Sequence, residues 1–398
     1  MAGLLLDWLE LLVRWVHVVA GIAWIGSSFY FIALDASLKP GAQLAPGVKG
    51  DAWQVHGGGF YQIQKYMVAP EAIPAHLTWF KWEAYSTWIF GFALLVLVYY
   101  LNPSLYLIDP AVMALSESDA VVGGVASLAV GWLVYDGLCR SPVGRDTRLL
   151  AAVGFSLLVL ATFAYTRVFS GRGAFIHVGA LVGSIMVGNV FLVIMPNQRK
   201  VVRDLLARRT PDPALGAQAK QRSLHNNYLT LPVVFVMLSN HYAFTYSGRW
   251  SWLVLAAVFL ASFLVRHWFN VGHAGLKADW RLWPAAAVPV AAAALLTLLA
   301  QPPAAQAIAG VHPATFANVR QIVAERCQAC HAAAPRFPGI ASAPMGVMLD
   351  TPARIAMLSS KIYTQAVVTR AMPLNNATHI TEDERQTLAE WIRQGSPQ

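Results

Sequence analysis

Apolar positions run almost unbroken through eight stretches before residue 300, near 9–34, 79–101, 120–138, 147–168, 174–196, 227–246, 250–270 and 281–300. A helix of about 20 apolar residues crosses a hydrocarbon core of ~30 Å. The pattern therefore predicts an all-α fold: an eight-span transmembrane helical bundle over residues 1–300. After Gln301-Pro-Pro the pattern changes. An Ala/Pro-rich linker at 301–312 leads into a polar segment, 313–398, with helical periodicity before Cys327 and again from Thr381 to Gln394. Thr381-Glu-Asp-Glu384 has the form of a capping box, Thr381 at the N-cap and Glu384 at the third helical position, and predicts a last helix running to Arg393.

Composition agrees with a lipid setting. Of the 398 residues, 57% are hydrophobic and only 12% are charged, against about 25% charged in soluble domains. Charge then orients the spans. Connections after the first, third, fifth and seventh carry Lys39, Lys49 and Lys65; Arg140, Arg145 and Arg148; Arg199 through Arg222; and Lys277 with Arg281. The other connections are poor in Lys and Arg, so the positive-inside rule puts both termini in the periplasm of a bacterial inner membrane. Topology and lipid contact account for the net charge of +9, and nothing calls for nucleic acid. The first span lacks a charged leader and a small-residue cleavage site, and is read as retained. Cys139, alone among apolar residues, reads as an inert small hydrophobe.

Chemistry concentrates in Cys327-Gln-Ala-Cys330-His331. Two thiols and an imidazole at this spacing are what covalent attachment of haem c requires, the thiols joining the porphyrin vinyls and His331 reaching the iron. No second cysteine pair follows, which disfavours a zinc site. Met372 in Arg370-Ala-Met372-Pro373-Leu374-Asn375 is the expected second axial ligand, as in a small class I cytochrome c. Met345, Met348 and Met357 are competitors, read as core or loop residues on the porphyrin edge.

The stretch His17–Phe31 overlays His177–Phe191 without a gap, each histidine being followed by small residues at helix-packing spacing. That similarity predicts two parallel four-helix repeats. Ionisable groups at membrane depth are functional candidates by default. His17, His177 and His241 fall in the outer half and are candidate ligands for one or two haems b. His76 and His225 fall near the inner surface, with His56, His267 and His273. Gly57 through His76, with Lys65, forms a long polar connection of the kind that serves function. It leads into Trp79-Phe-Lys81-Trp82-Glu83-Ala-Tyr85-Ser-Thr87-Trp88, where an aromatic belt with a snorkelling lysine explains much, but Glu83 lies deeper. His225-Asn226-Asn227-Tyr228 and Arg266 through His273 are polar clusters at the same level.

The runs Trp79–Trp88, Gly183–Val190 with Ile194-Met-Pro-Asn-Gln198, and Leu231-Pro through Met237-Leu-Ser-Asn-His241 resemble the urate oxidase N-terminal domain family, bacterial membrane proteins with an eight-span domain fused to a cytochrome c. The resemblance implies oxidation of urate to 5-hydroxyisourate, with electrons passing through membrane haem to the fused cytochrome, then to a soluble cytochrome c or terminal oxidase, and not to O2 as H2O2. On that footing the expected inner site has Lys65, Lys81 and Asn226 binding urate, and Glu83, His76 and His225 moving protons. The expected cofactor residues are Cys327, Cys330, His331 and Met372 for haem c and His17, His177 and His241 for haem b. The alternative expectation is an electron-transfer subunit passing electrons from quinol to periplasmic acceptors, which leaves the Gly57–His76 connection unused.

Overall fold

A computed structural model describes residues 2–41, 44–67, 73–74, 76–300, 314–340 and 342–397. The fold is mostly helical. In chain order the first part comprises α1 (Ala2–Ser37), strands β1 (Val48–His56) and β2 (Gly59–Tyr66), α2 (Trp82–Leu94), α3 (Pro103–Tyr106), α4 (Glu117–Arg140), α5 (Thr147–Val168), α6 (Gly171–Gly188), α7 (Met195–Leu206), α8 (Pro213–Ser239), α9 (Ser251–His273) and α10 (Leu282–Leu299). The second part has α11 (Phe316–Arg326), α12 (Pro352–Met357), α13 (Ser359–Ile362) and α14 (Glu382–Arg393). Thr381 caps α14 and closes the predicted box with Glu384. The predicted linker at 301–312 lies outside the described residues.

Among the described residues seven helices are long and apolar enough to cross a membrane: α1, α2 with its extension to Tyr100, α4, α5, α6 continued through α7, α9 and α10. The chain is thus a multi-pass membrane protein. α8, expected as a span at 227–246, starts earlier and stops at Ser239, and does not reach that apolarity. The reason is on its inner face, where Arg222, Asn226, Asn227 and Thr230 are buried against neighbouring helices. Asn240 to Tyr246 form turns instead of continuing the helix.

Two wider turns with π-type hydrogen bonding, Leu95–Tyr100 and Asn189–Ile194, extend α2 and α6. Such turns shift a helix face by one residue and recur where side chains must be re-aimed inward. α6 holds the centre: Phe175, His177, Val178, Val182 and Met186 are buried, within a core that includes Tyr99, Leu107, Tyr165, Phe169, Val236, Leu255 and Phe259. α1 instead leaves Leu5, Trp15 and Ile22 on the surface. Central α6 and peripheral α1 therefore occupy different settings, so the similarity of their sequences does not carry over into equivalent packing.

One expectation of an all-α bundle is corrected. β1 and β2 pair as an antiparallel hairpin from Val48↔Tyr66 to His56↔Gly59. Gly57 and Gly58 both have positive φ, at 58° and 80°, and make the two-residue turn whose twist suits a hairpin. The strand pattern is hidden by the glycines and by apolar residues, Trp53, Val55 and Phe60, that stay exposed.

The C-terminal part builds its own core from Val319, Ile322, Val323, Leu349, Ile355, Ile362, Leu388 and Trp391. α11 and α14 meet there, Phe316 stacking on Trp391 at 5.8 Å. This unit sits on the end of the bundle that holds α3, where Asn375 Nδ2 donates to Leu105 O at 3.0 Å and Ile108 O at 2.8 Å. Trp391 is fully buried and its Nε1 donates to Pro397 O at 2.7 Å. Trp391→Ala is expected to cost about 3–5 kcal/mol, seen by calorimetry of the intact chain as a lower melting temperature for the C-terminal unit with the membrane helices unchanged.

Candidate functional site

Polar chemistry collects at three levels. At the basic end of the bundle, α4, α6 and α8 enclose a connected network. Arg222 pairs with Asp136 at 2.7 Å and donates to Asn189 Oδ1 at 3.1 Å. Asn189 Nδ2 donates to Asn226 Oδ1 at 2.9 Å and to the Tyr135 hydroxyl at 3.0 Å, while Asn226 Nδ2 donates to Met186 O at 2.9 Å. The Tyr135 hydroxyl also hydrogen-bonds His225 Nδ1, 2.7 Å away. Cys139 Sγ lies 4.0 Å from the same nitrogen. Asn189 stands at the start of the π-type turn, which aims its amide at this network.

Of the inner residues named from sequence, the structure brings His225 and Asn226 together and leaves the others apart. Lys65 is held by Asp35, which Lys220 also approaches at 3.1 Å, so hairpin and α8 are both fastened to α1. The Lys81 ammonium sits 5.5 Å from the Trp82 ring centroid, Glu83 occupies the first turn of α2, and His76 is exposed before that helix. Among the described residues none of these four hydrogen-bonds to His225 or Asn226. Coulomb attraction took Lys65 to the nearest acid, Asp35. Sequence reasoning did not single out Asp136, Asn189 or Tyr135; an acid inside an apolar span was the signal available for Asp136.

The middle and outer levels hold His177, which is fully buried, and His17, which is half-buried. His177 Nδ1 donates to Gly173 O at 2.8 Å and Nε2 accepts from the Tyr100 hydroxyl at 3.0 Å. His17 Nδ1 donates to Thr87 O at 2.8 Å and Nε2 faces Met237 Sδ at 3.4 Å. Both rings press on glycine: a Cβ at Gly124 would stand 2.7 Å from His177 Nε2, and one at Gly91 would stand 2.7 Å from His17 Cε1. Anchoring Nδ1 to a carbonyl is how a ligating imidazole is usually held. The two Nε2 atoms, however, point at different groups, at Met237 and at Tyr100. The arrangement does not fit a single haem b shared by His17 and His177. His241 is exposed in the turn after α8 and is no part of the buried set.

In the C-terminal unit α11 delivers Cys327 at its end, and His331 N donates to Cys327 O at 2.9 Å, folding the CxxCH segment into one turn. His331 Nδ1 donates to Val347 O at 2.9 Å, so the lone pair of Nε2 is free for a metal. Burial pushes the Cys327 thiol up to about 12 and raises Cys330 as well, keeping both protonated at neutral pH. Val347 and Leu358 line a cleft with Met345, Met348 and Met357. Met345 and Met357 are 94% and 74% exposed, so they belong to the cleft mouth and not to the core. Met372 is fixed through its main chain, its N–H donating to Gln365 O at 3.0 Å and its carbonyl accepting from Arg385 Nη1 at 2.9 Å. Two thiols and an imidazole with an anchored Nδ1 are a donor set that fits covalent haem.

Below this unit, Arg172 lies over Tyr106 at 5.2 Å and donates to the Tyr99 hydroxyl at 3.2 Å. Burial raises the Tyr106 phenol, with the Arg172 charge opposing.

Fold and site define a multi-pass helical membrane protein with a buried polar network and a C-terminal CxxCH unit seated at the opposite end. The chain belongs to the urate oxidase N-terminal family, whose model matches residues 3–298. Comparison with curated proteins and with solved structures finds no match.

Removing one partner of a buried ion pair strands the other charge. Asp136→Ala is expected to cost about 3–5 kcal/mol, whereas Asp136→Ala combined with Arg222→Met recovers most of it; thermal melts followed by circular dichroism in detergent check both.

Proposed function

We propose that this chain is a membrane-bound urate oxidase that converts urate to 5-hydroxyisourate and delivers the electrons to haem c on its own C-terminal unit, not to O2 as H2O2. The observation that carries the reading is the seating of a CxxCH unit, its His331 poised to ligate, on a bundle that belongs to the urate oxidase N-terminal family. Urate and water yield 5-hydroxyisourate, two protons and two electrons. The acceptor must therefore take electrons twice, one at a time. Haem held by Cys327, Cys330, His331 and Met372 supplies that one-electron acceptance, with Met372 favouring a relatively high potential.

The residues of the chain divide the rest of the work. The basic end carrying Arg140, Arg145, Lys220 and Arg222 takes the cytoplasmic side by the positive-inside rule, which sets the CxxCH unit and both termini in the periplasm of a bacterial inner membrane. α8 completes the bundle as an eighth span, its polar face shielded by α4, α6 and α9. His225, hydrogen-bonded to Tyr135 at Nδ1, is the group placed to exchange protons at the inner network. A soluble cytochrome c or terminal oxidase collects the electrons outside.

Anaerobic addition of urate to the purified protein is expected to reduce the c-type absorption bands with two haems reduced per urate consumed. Cys330→Ser with Cys327→Ser removes the covalent haem and is expected to abolish urate turnover with an external cytochrome acceptor. Bands that stay oxidised with urate yet are reduced by quinol would overturn urate oxidation in favour of an electron-transfer subunit.

A further inference from the structure

Two arginines are buried in the bundle, and they are treated differently. Arg222 is 3% exposed and has the Asp136 carboxylate. Arg266, on α9, is 4% exposed, and among the described residues its polar neighbours are neutral: Asn227, Asn270 and Tyr228. Its Nε donates to Asn227 Oδ1 at 2.8 Å, Asn270 Nδ2 donates to the same oxygen at 3.0 Å, and the guanidinium lies 3.8 Å from the centroid of the Phe29 ring. The Phe29 contact fixes the plane of the guanidinium and leaves one edge of it free.

Among the described residues three polar atoms of this group have no hydrogen-bond partner: Arg266 Nη2, Asn227 Nδ2 and Asn270 Oδ1. Asn227 is fully buried. Unpaired buried polar atoms are costly, more so for a charge in a membrane bundle. Three of them, on α8 and α9 around one residue, form a matched set of two donors and one acceptor. Exposure rises outward from Asn227 and Arg266 through Asn270 and Tyr228 to His267, whose Nδ1 lies 2.7 Å from the Tyr228 hydroxyl. The group thus opens toward the last two turns of α9, at the same basic end as the Asp136 network.

We propose that Arg266, Asn227 and Asn270 form the binding site for urate, a reading that rests on the urate oxidase function proposed above. Urate at neutral pH is a flat monoanion edged with N–H donors and carbonyl acceptors. Its charge supplies the counter-ion that Arg266 lacks. A ring carbonyl takes the Asn227 amide, a ring N–H gives to Asn270 Oδ1, and Phe29 holds the guanidinium in the plane that meets the purine edge-on. The Tyr228–His267 pair stands at the mouth.

The test uses the full chain in nanodiscs with labelled urate as the probe. Asn227→Asp keeps the oxygen that accepts from Arg266 and Asn270 but converts the free amide donor into carboxylate, so Arg266 gains an internal counter-ion. This variant is expected to melt at or above the wild-type temperature and to bind urate at least about tenfold more weakly. Arg266→Gln removes the unneutralised charge and is expected to behave likewise, with KM for urate raised and haem content unchanged. Urate is expected to raise the melting temperature of the wild type and of neither variant. Wild-type affinity retained in both variants would overturn the site and leave urate oxidation standing, the three unpaired atoms then being satisfied by water alone. A wild type that neither binds nor oxidises urate would instead overturn the functional reading itself.

Discussion

Hydrocarbon offers no water, so a polar group inside this bundle needs a partner from the protein or from a ligand or water held within it. That constraint organises the structure around α8. Arg222, Asn226, Asn227 and Thr230 would each be expensive facing lipid, and their burial turns α8 inward against α4, α6 and α9. The π-type turn after Gly188 belongs to the same solution, because it sets Asn189 where it can serve Arg222, Tyr135 and Asn226 at once. Close approach completes it. Gly188 meets Trp132, Gly131 meets Leu181 and Gly179 meets Val236, each leaving less room than a methyl group needs.

Much of this was legible in the apolar runs. Seven of the eight predicted spans have helices that match them by length and composition, and the capping box at Thr381 closes as its spacing demanded. α8 was harder to read because hydropathy averages over a helix, whereas burial acts on one face. The hairpin at Val48–Tyr66 escaped because its outward face carries Trp53, Val55 and Phe60 in the open, so alternation gave no inside and outside to recognise. The histidines show the limit most clearly. Sequence correctly placed His177 inside the bundle, but which atom its Nε2 meets depends on Tyr100, 77 positions away.

The CxxCH segment was the reverse case, since its chemistry is local. Cys327 and Cys330 share one turn with His331, and the more distant support comes from Val347, whose carbonyl holds the imidazole, and Leu349, which bonds His331 O and Gln328. The candidate site around Arg266 stands between these extremes. Its residues were visible as polar clusters in α8 and α9, while the lack of a carboxylate beside Arg266 is a property of the packed helices alone.

The seat of the C-terminal unit on the bundle follows a different logic from the buried networks. Asn375 grips the main-chain oxygens of Leu105 and Ile108, not their side chains. Every residue type carries that oxygen, so substitutions along α3 can accumulate without loosening the grip as long as the backbone keeps its path. On the tethered partner these two bonds are encoded at one position, Asn375.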